Sequence, residues 1–236
     1  MKALTLARRE LTAYLYSPIA YVIGAGFLML TAVWFFLNLR IGGEASLRPL
    51  FDGMAVLMVL AVPLLTMGLL SKEFDSGTIE TLMTSPVTDV DVVLGKFLGV
   101  MVFYLALLAT TLVFLGLMMV YGRPDAGVAA TGYLGMILLG AAYLSVGIFA
   151  STLTRHQIVA AVVAIGILSV FVLLMGFVVG VGIRPWADVA AKLNAMTYFR
   201  DFSRGVFDSR GLVYFLSATA LFMFLSVKTL ESRRWR

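Results

Sequence analysis

Long uncharged apolar runs dominate the pattern of the chain and predict membrane-spanning helices. The 18 basic and 13 acidic residues all lie outside six such runs. A helix needs about 17–25 apolar residues to cross the hydrocarbon core of a bilayer, whereas a barrel strand needs only about 9–11 residues of alternating polarity. The predicted spans are residues 17–39, 53–71, 97–122, 126–154, 157–183 and 211–227, of which the last is near the lower limit of length.

Composition agrees with a single integral membrane domain over residues 17–236. The chain is 61% apolar and only 13% charged, and its mean hydropathy is +0.99. Soluble domains contain about 45–50% apolar and about 25% charged residues. These proportions exclude an ordinary soluble enzyme, a disordered tail and a nucleic-acid-binding module, and they make membrane lipid the expected surrounding. We predict an all-α integral membrane protein with six transmembrane helices.

A short amphipathic helix is predicted before the first span, in residues 1–16. Apolar side chains recur there at helical spacing, while Arg8, Arg9 and Glu10 fall largely on the other side of the helix. This pattern is typical of a helix that lies in the membrane interface. The apolar positions are Leu4, Ala7, Leu11 and Leu15.

The basic residues weakly favour an arrangement with both termini in the cytoplasm. Ten of the 18 Lys and Arg residues fall on the side of the termini, and basic connections favour the cytoplasmic side. The connection 184–210 is the outlier, because its basic residues alternate with acidic and aromatic side chains. We expect short structured elements that lie on the outer interface or dip into it, and a plain solvated loop is the alternative.

The connection between the second and third spans, residues 72–96, is acidic. It holds five acids and only two lysines, and we call it the acidic connection. Because anionic lipid would repel it, attraction to the membrane surface does not explain its composition. Thr88 and Asp91 have the spacing of a capping box, which predicts the start of the helix that runs into the third span.

A short helix is predicted within the acidic connection. Gly77 marks a break, and residues 78–85 can form about two helical turns that end before Pro86. One side of this helix is apolar and the opposite flank is acidic, which suits docking into the groove of a partner protein. An acidic loop that merely joins two spans is the alternative. The apolar ridge is formed by Ile79, Leu82 and Met83, and the acidic flank by Glu80.

Small residues on two spans predict faces for close helix packing. Gly176-x-x-x-Gly180 in the fifth span is a close-packing motif, and Gly24 and Gly26 form a similar small face on the first span. Such faces pack either within one subunit or between two copies of a chain.

Two further packing signals flank the acidic connection. Pro63 lies midway through the second predicted span and should kink it, since proline removes a backbone hydrogen bond inside a helix. Gly95-x-x-x-Gly99 has the spacing of a packing motif, but Lys96 lies within it, so we give this motif little weight.

The residue inventory excludes several kinds of chemistry. The chain has no cysteine and its only histidine is His156, which excludes thiolate and histidine-rich metal sites. No G-x-x-x-x-G-K-[ST] loop occurs, so the chain does not bind a nucleotide by that route. We expect no catalytic residue, no metal and no cofactor in this chain, and no pattern within the spans assigns a substrate.

Two alternative functions remain for such a membrane protein. An ion-gradient-driven carrier or channel would work without an ATPase, but these proteins usually bury ionisable side chains in their spans, and the six runs have none. An intramembrane protease would need a serine beside a histidine. Ser145, Ser151 and Ser169 are available, but His156 lies at a span boundary and no G-x-S-x-G motif occurs.

A long motif around the acidic connection resembles the permease subunits of ABC-2 type ABC transporters. Residues 63–87 read P-L-L-T-M-x(5)-E-F-x-S-G-T-I-E-T-L-M-T-S-P-V and are followed by L-G-K at 94–96. Within the family the resemblance is greatest to the gliding-motility-associated permeases, and next to the permease for nitrous oxide reductase maturation. Further likeness lies in residues 9–10, 16–18, 147–154, 199–205 and 230–235, so it extends over nearly the whole chain.

The resemblance implies an ABC-2 type permease fold in a transport subunit that is not itself an enzyme. Two permeases, either copies or paralogues, would pair and bind two ABC ATPase subunits at the cytoplasmic face of the bacterial inner membrane. The ATPases would bind ATP and Mg, and hydrolysis would drive substrate movement, with export as the expected direction.

The same resemblance assigns roles to segments of the chain. The acidic connection would contain the coupling helix that docks on the ATPase, the first, second and fifth spans would line the subunit interface and the path, and the short elements before the sixth span would form an outer gate. The chain departs from larger members in having no large extracellular domain. The implied docking residues are Glu73, Gly77, Thr78, Ile79, Glu80, Leu82, Met83 and Pro86.

Overall fold

The computed structural model describes residues 2–42, 47–78, 88–121, 125–182 and 184–234, which are mainly helical, with no strand among them. Within these residues, six helical segments are long and apolar enough to cross a membrane, which confirms the predicted all-α membrane fold. The helices are α1 (Lys2–Leu15), α2 (Pro18–Gly42), α3 (Arg48–Thr66), α4 (Ser71–Asp75), α5 (Asp89–Thr110), α6 (Leu112–Tyr121), α7 (Ala126–Leu153), α8 (Gln157–Ser169), α9 (Met175–Val181), α10 (Trp186–Leu193), α11 (Ala195–Ser203) and α12 (Ser209–Arg234).

Local capping extends the third span beyond its uncharged run. The hydroxyl of Thr88 accepts a hydrogen bond from the Asp91 N–H at 3.2 Å, and the Asp91 carboxylate accepts one from the Thr88 N–H at 3.2 Å. This is the predicted capping box, and it satisfies backbone donors that a helix start leaves unpaired. Helix α5 therefore begins at Asp89, eight residues before the uncharged run at 97–122.

Helices α3 and α7 form the centre of the molecule. Within their most apolar stretches, 61% of α3 and 78% of α7 are buried, against 22–33% in the other four spans. The first, third, fifth and sixth spans therefore surround the central pair and turn apolar side chains outward. Exposed leucine, valine and phenylalanine side chains on a helix of this length are suited to contact with lipid.

Glycines in α7 let neighbouring side chains approach its backbone. The ring of Phe51 lies where a side chain at Gly132 would project, and the ring of Tyr104 does the same at Gly140. Tyr104 is fully buried, and its hydroxyl donates a hydrogen bond to the Met136 carbonyl at 2.8 Å. These aromatic rings fill the groove of the central helix and fix the distance between spans.

The connection before the sixth span is built from the two short helices α10 and α11. The Asn194 side chain caps α11 by accepting the Met196 N–H at 2.9 Å, and Phe199 and Phe202 are fully buried. This confirms the expectation of short structured elements over a plain loop; their depth in the membrane remains a prediction. We call the end of the molecule with α10 and α11 the distal end, and the end with α1 and α4 the proximal end.

The fifth span is not a uniform α-helix. Between α8 and α9 the chain makes a π turn at Val170–Leu174, and α9 ends before Gly182, whose φ is +72°. A left-handed residue after a helix is usually glycine, because a Cβ is strained in that conformation. The span is thus wound differently in its two halves.

The aromatic filling of the α7 groove generates a stability prediction. Gly140→Ala should lower the free energy of unfolding by about 1–2 kcal/mol, because its Cβ would overlap the buried Tyr104 ring, and overpacking costs more than alanine gains in a helix. Thermal unfolding in detergent measures it. Gly166→Ala is the matched control: its Cβ meets no atom within 4 Å, so the midpoint should stay or rise. Equal midpoints for the two variants would refute the packing role.

Candidate functional site

The structure describes only the first part of the predicted docking segment. Glu73 lies in α4, and Gly77 and Thr78 follow it, with Gly77 at a φ of +71° as expected of a break. Ile79, Glu80, Leu82, Met83 and Pro86 lie outside the described residues, so the docking role of the segment remains a prediction. The described residues show how its base is attached to the spans.

A serine from the central helix α7 holds the break between α3 and α4. The Ser151 hydroxyl accepts hydrogen bonds from the N–H groups of Leu70 and Ser71, both at 3.0 Å, and donates one to the Met67 carbonyl at 3.1 Å. Ser151 is fully buried, so these backbone groups have lost water and gained one side chain in its place. We call α4, with which the acidic connection begins, the base of the connection. These bonds fix the base to α7.

A buried lysine joins the two ends of the acidic connection to each other and to α1. The Lys96 ammonium in α5 donates to Glu10 in α1 at 2.8 Å and to Glu73 in α4 at 2.7 Å. The Lys96 side chain is 4% exposed and each glutamate side chain is 15% exposed. The second carboxylate oxygen of Glu73 is buried and has no hydrogen-bond partner among the described residues. We call these three side chains the charged cluster.

The glycine motif around Lys96 is where α1 meets α5, so the low weight given to it was wrong. A Cβ at Gly95 would lie 2.6 Å from the Leu6 Cβ, and one at Gly99 would lie 2.7 Å from the Glu10 Cβ. Two glycines one turn apart leave a shallow seat for the α1 backbone. Lys96 stands between them on α5 and therefore reaches Glu10 directly.

The orientation of α1 differs in part from its amphipathic pattern. Arg8 and Arg9 are exposed as predicted, but Glu10 turns away from them towards Lys96. Leu4 and Leu15, at 69% and 50% exposure, stay uncovered by the protein. The opposite charge of Lys96 overrides the grouping of Glu10 with the arginines, while the exposed leucines remain suited to an interfacial helix.

Tyr14 fixes the other end of α1 to the central helix α3. Its hydroxyl donates to the Leu65 carbonyl at 2.7 Å, and its ring stacks on Phe103 with 5.1 Å between centroids. Burial, with a smaller contribution from the Glu10 carboxylate, raises the pKa of the Tyr14 hydroxyl above its ordinary value. The tyrosine thus stays a hydrogen-bond donor over the whole physiological range.

A half-open cleft of about 200 Å³ lies beside the charged cluster. Its polar lining comes from Glu10, Lys72 and Gln157, among others, and its apolar lining from side chains of α2 and α3. The cleft therefore joins charged and apolar surface at the proximal end.

The other predicted packing glycines differ in their exposure. Gly26 and Gly180 are exposed, and a Cβ at either would meet no atom within 4 Å. Gly24 is buried against the end of the Leu107 side chain, 3.3 Å from the position of a Cβ, and Gly176 is half-buried. Packing within this chain therefore leaves Gly26 and Gly180 uncovered, and a contact between copies stays a prediction. Pro63 lies one turn before the end of α3 and its carbonyl accepts the Met67 N–H, while the predicted kink stays untested.

Sequence patterns alone missed three residues that attach the acidic connection. Glu10 was grouped with the polar side of α1, and Lys96 and Ser151 entered as motif positions. Lys96 was otherwise treated as a connection charge and Ser151 as a protease nucleophile, with no contact predicted for any of the three. The signal that could have found them is a lysine between two glycines one turn apart, beside a segment rich in acids. The hydroxyls of Ser145 and Ser151 donate to backbone carbonyls instead of pairing with His156.

Comparison with known protein families identifies the family of this chain. A model described as ABC-2 family transporter protein matches residues 9–225. The chain belongs to the ABC-2 transporter family. This confirms the predicted family. The match does not distinguish subgroups of the family, so the gliding-motility subgroup stays a prediction.

Two relatives share the name "Probable multidrug ABC transporter permease YbhR", one from Escherichia coli strain K12 and one from Escherichia coli O157:H7. Each is 25% identical to this ABC-2 family member over 154 residues, which is 65% of this chain. The match spans 41% of the length of each relative. The likeness therefore covers less than half of those proteins.

The charged cluster generates a prediction with a charge control. Lys96→Met should lower the free energy of unfolding by about 3–5 kcal/mol, because it leaves two buried carboxylates without a counter-charge. Unfolding in mixed micelles measures this, and adding Glu10→Gln and Glu73→Gln should restore most of the loss. Lys228→Met, at an exposed ion pair, should cost less than about 1 kcal/mol. A loss no larger than the control would remove the cluster's structural role.

The Ser151 contacts generate a second prediction with its own control. Ser151→Ala should cost about 1–3 kcal/mol of unfolding free energy, because it leaves the buried N–H groups of Leu70 and Ser71 unpaired. Ser145→Ala removes a hydroxyl that donates only within its own helix, to the Ala142 carbonyl, and should cost much less. Comparable losses in the same assay would show that the attachment to α7 is unimportant.

Proposed function

We propose that this chain is the transmembrane permease subunit of an ATP-driven ABC transporter, and that separate ATPase subunits bind it and supply the energy. Membership of the ABC-2 family and six candidate spans support this. The observation that carries the proposal is the attachment of the base of the acidic connection to α1, α5 and α7. A segment fixed in this way transmits force to several spans at once, which a connecting loop does not need to do.

The proposed docking surface is the helix that the sequence predicts after Gly77. Ile79, Leu82 and Met83 supply its apolar ridge and Glu80 its acidic flank, while Thr78 and Pro86 bound it. A groove in the ATPase with a basic rim would complement this helix. Movement of the helix when the ATPases close on ATP would then rock the permease spans as rigid bodies.

The proposed assembly contains two permeases and two ATPases in the bacterial cytoplasmic membrane, with both termini in the cytoplasm. The proximal placement of α1, α4 and the end of α12 supports a common side for the termini and the docking helix. The second permease is a copy or a paralogue that meets the glycine-containing faces of the first and fifth spans, which include Gly24, Gly26, Gly176 and Gly180 and of which Gly26 and Gly180 are exposed. ATP and Mg would bind to the ATPases, so this chain would need no cofactor and have no enzymatic activity.

Export is the proposed direction of transport. The relatives are named as probable multidrug permeases, and this name supports export more than import. The sequence resemblance to gliding-motility-associated permeases supports placing the chain in that subgroup, which is the finer part of the proposal. A gradient-driven carrier is the competing function.

A charge reversal at the docking helix tests the proposal. Glu80→Lys should reduce co-purification of the ATPase and ATP-dependent transport in proteoliposomes at least tenfold, because it puts a positive charge against the proposed basic rim. Asp188→Lys makes the same change on exposed α10 at the distal end and should leave co-purification of the ATPase unchanged.

Three results would contradict the proposal. Full ATPase binding by the Glu80→Lys chain would exclude this docking surface. Transport by the purified chain alone, driven by an ion gradient, would favour the carrier. ATP hydrolysis by the purified chain alone would contradict the separation of permease and ATPase.

A further inference from the structure

Helix α12 connects the two ends of the molecule without a break. It runs from Ser209 to Arg234, and its 26 residues span about 39 Å at 1.5 Å per residue. Only 22% of its most apolar stretch is buried, the smallest share among the six spans. The position of α12 therefore depends on the contacts at its two ends more than the positions of the buried central helices depend on theirs.

The proximal end of α12 is fastened to the base of the acidic connection. The Arg233 guanidinium lies 4.6 Å from the centroid of the Phe74 ring, and it also donates a hydrogen bond to the Leu153 carbonyl at the end of α7. Phe74 is buried and directly follows Glu73 of the charged cluster. A guanidinium over an aromatic face is attracted to it and also packs flat against it.

The distal end of α12 carries the short helices α10 and α11. The Tyr214 hydroxyl donates to the Leu193 carbonyl at 2.7 Å, where α10 ends, and the Tyr214 ring stacks on Tyr198 of α11 with 4.5 Å between centroids. One turn earlier, a Cβ at Gly211 would lie 2.7 Å from the Phe202 ring. The first two turns of α12 are thus in direct contact with both short helices.

The middle of α12 packs mainly on the central helix α7. Phe222 meets Phe149 of α7 with 5.8 Å between ring centroids, and the opposite side of α12 is exposed. A helix supported along one side and held at both ends moves as a unit, because its backbone hydrogen bonds resist bending.

We infer that Arg233 is a positioning residue that fastens α12 to the acidic connection, so that displacement of the connection is carried along α12 to α10 and α11 at the distal end. This inference rests on the proposed function, in which an ATPase moves the acidic connection. It adds a route to the distal helices that runs along α12, beside the central helix α7. Arg233 contacts no substrate in this role and acts through Phe74.

Spin labels at the distal end test the inference, since the chain has no cysteine of its own. Val189→Cys on α10 and Val120→Cys on α6 place two labels on exposed positions. The distance between them is measured in the chain co-purified with its ATPase, both without nucleotide and with a non-hydrolysable ATP analogue. In the complex with Arg233 intact, the analogue should shift this distance.

Arg233→Ala should at least halve that shift while ATPase binding and ATP hydrolysis stay within twofold of the unsubstituted complex. Phe74→Leu keeps an apolar side chain but removes the ring, and it should have the same effect, which also covers the case in which Arg233→Ala does not fold. Arg233→Lys should restore part of the shift. Lys228→Ala removes a charge from the same end of α12, where Lys228 pairs with exposed Glu231, and should leave the shift intact.

Two outcomes would overturn the inference in distinguishable ways. A full shift in both Arg233→Ala and Phe74→Leu would show that α12 does not carry the motion, with the proposed function left standing. If the unsubstituted chain bound no ATPase, or if its labels did not respond to nucleotide, the failure would lie in the proposed function or in the distal motion itself, and the inference would fall with it.

Discussion

The burial of one ammonium group between two carboxylates constrains the whole proximal end. The Lys96 side chain is almost completely removed from water and its charge is balanced there by Glu10 and Glu73, and the three residues belong to three different helices. Separating α5 from the other two helices would leave the carboxylates of Glu10 and Glu73 without their counter-charge. Helix α1, the start of α5 and α4 at the base of the acidic connection are therefore held together. The glycines on either side of Lys96 make this geometry attainable, because they let the backbone of α1 approach closely enough.

The distribution of packing separates parts of the molecule that hold shape from parts that can shift. The central helices α3 and α7 are mostly buried, and aromatic rings fill the glycine positions of α7. The outer spans have large apolar surfaces that only lipid or another chain can cover. A rigid centre with loosely held outer helices is compatible with rocking of whole helices, because few interlocked side chains need to separate. This division agrees with membership of a transporter family.

Sequence patterns predicted the elements well and their tertiary contacts poorly. Span number, the amphipathic N-terminal helix, the Thr88 capping box and the short helices before the sixth span depend on local composition and spacing, which a sequence displays directly. The Glu10–Lys96 pair joins positions 86 residues apart, and nothing local indicates which carboxylate a lysine will meet. Ser151 was equally hidden, since a serine near a helix end has the same local pattern whether it binds its own backbone or another helix. The docking residues beyond Thr78 remain predictions from the sequence, because they lie outside the described residues.

The π turn at Val170–Leu174 changes the direction in which the end of the fifth span presents its side chains. A π turn takes in one more residue than a regular turn, and one residue corresponds to about 100° of rotation in an α-helix. A helical wheel that assumes a regular α-helix from Gln157 onwards therefore places Gly176 and Gly180 on the wrong side of the helix. Shortening the turn by one residue would swing this pair by more than a quarter of a revolution without altering any other span. The π turn in the backbone, more than the identity of the side chains, thus determines which neighbour in the bilayer the face with Gly176 and Gly180 contacts.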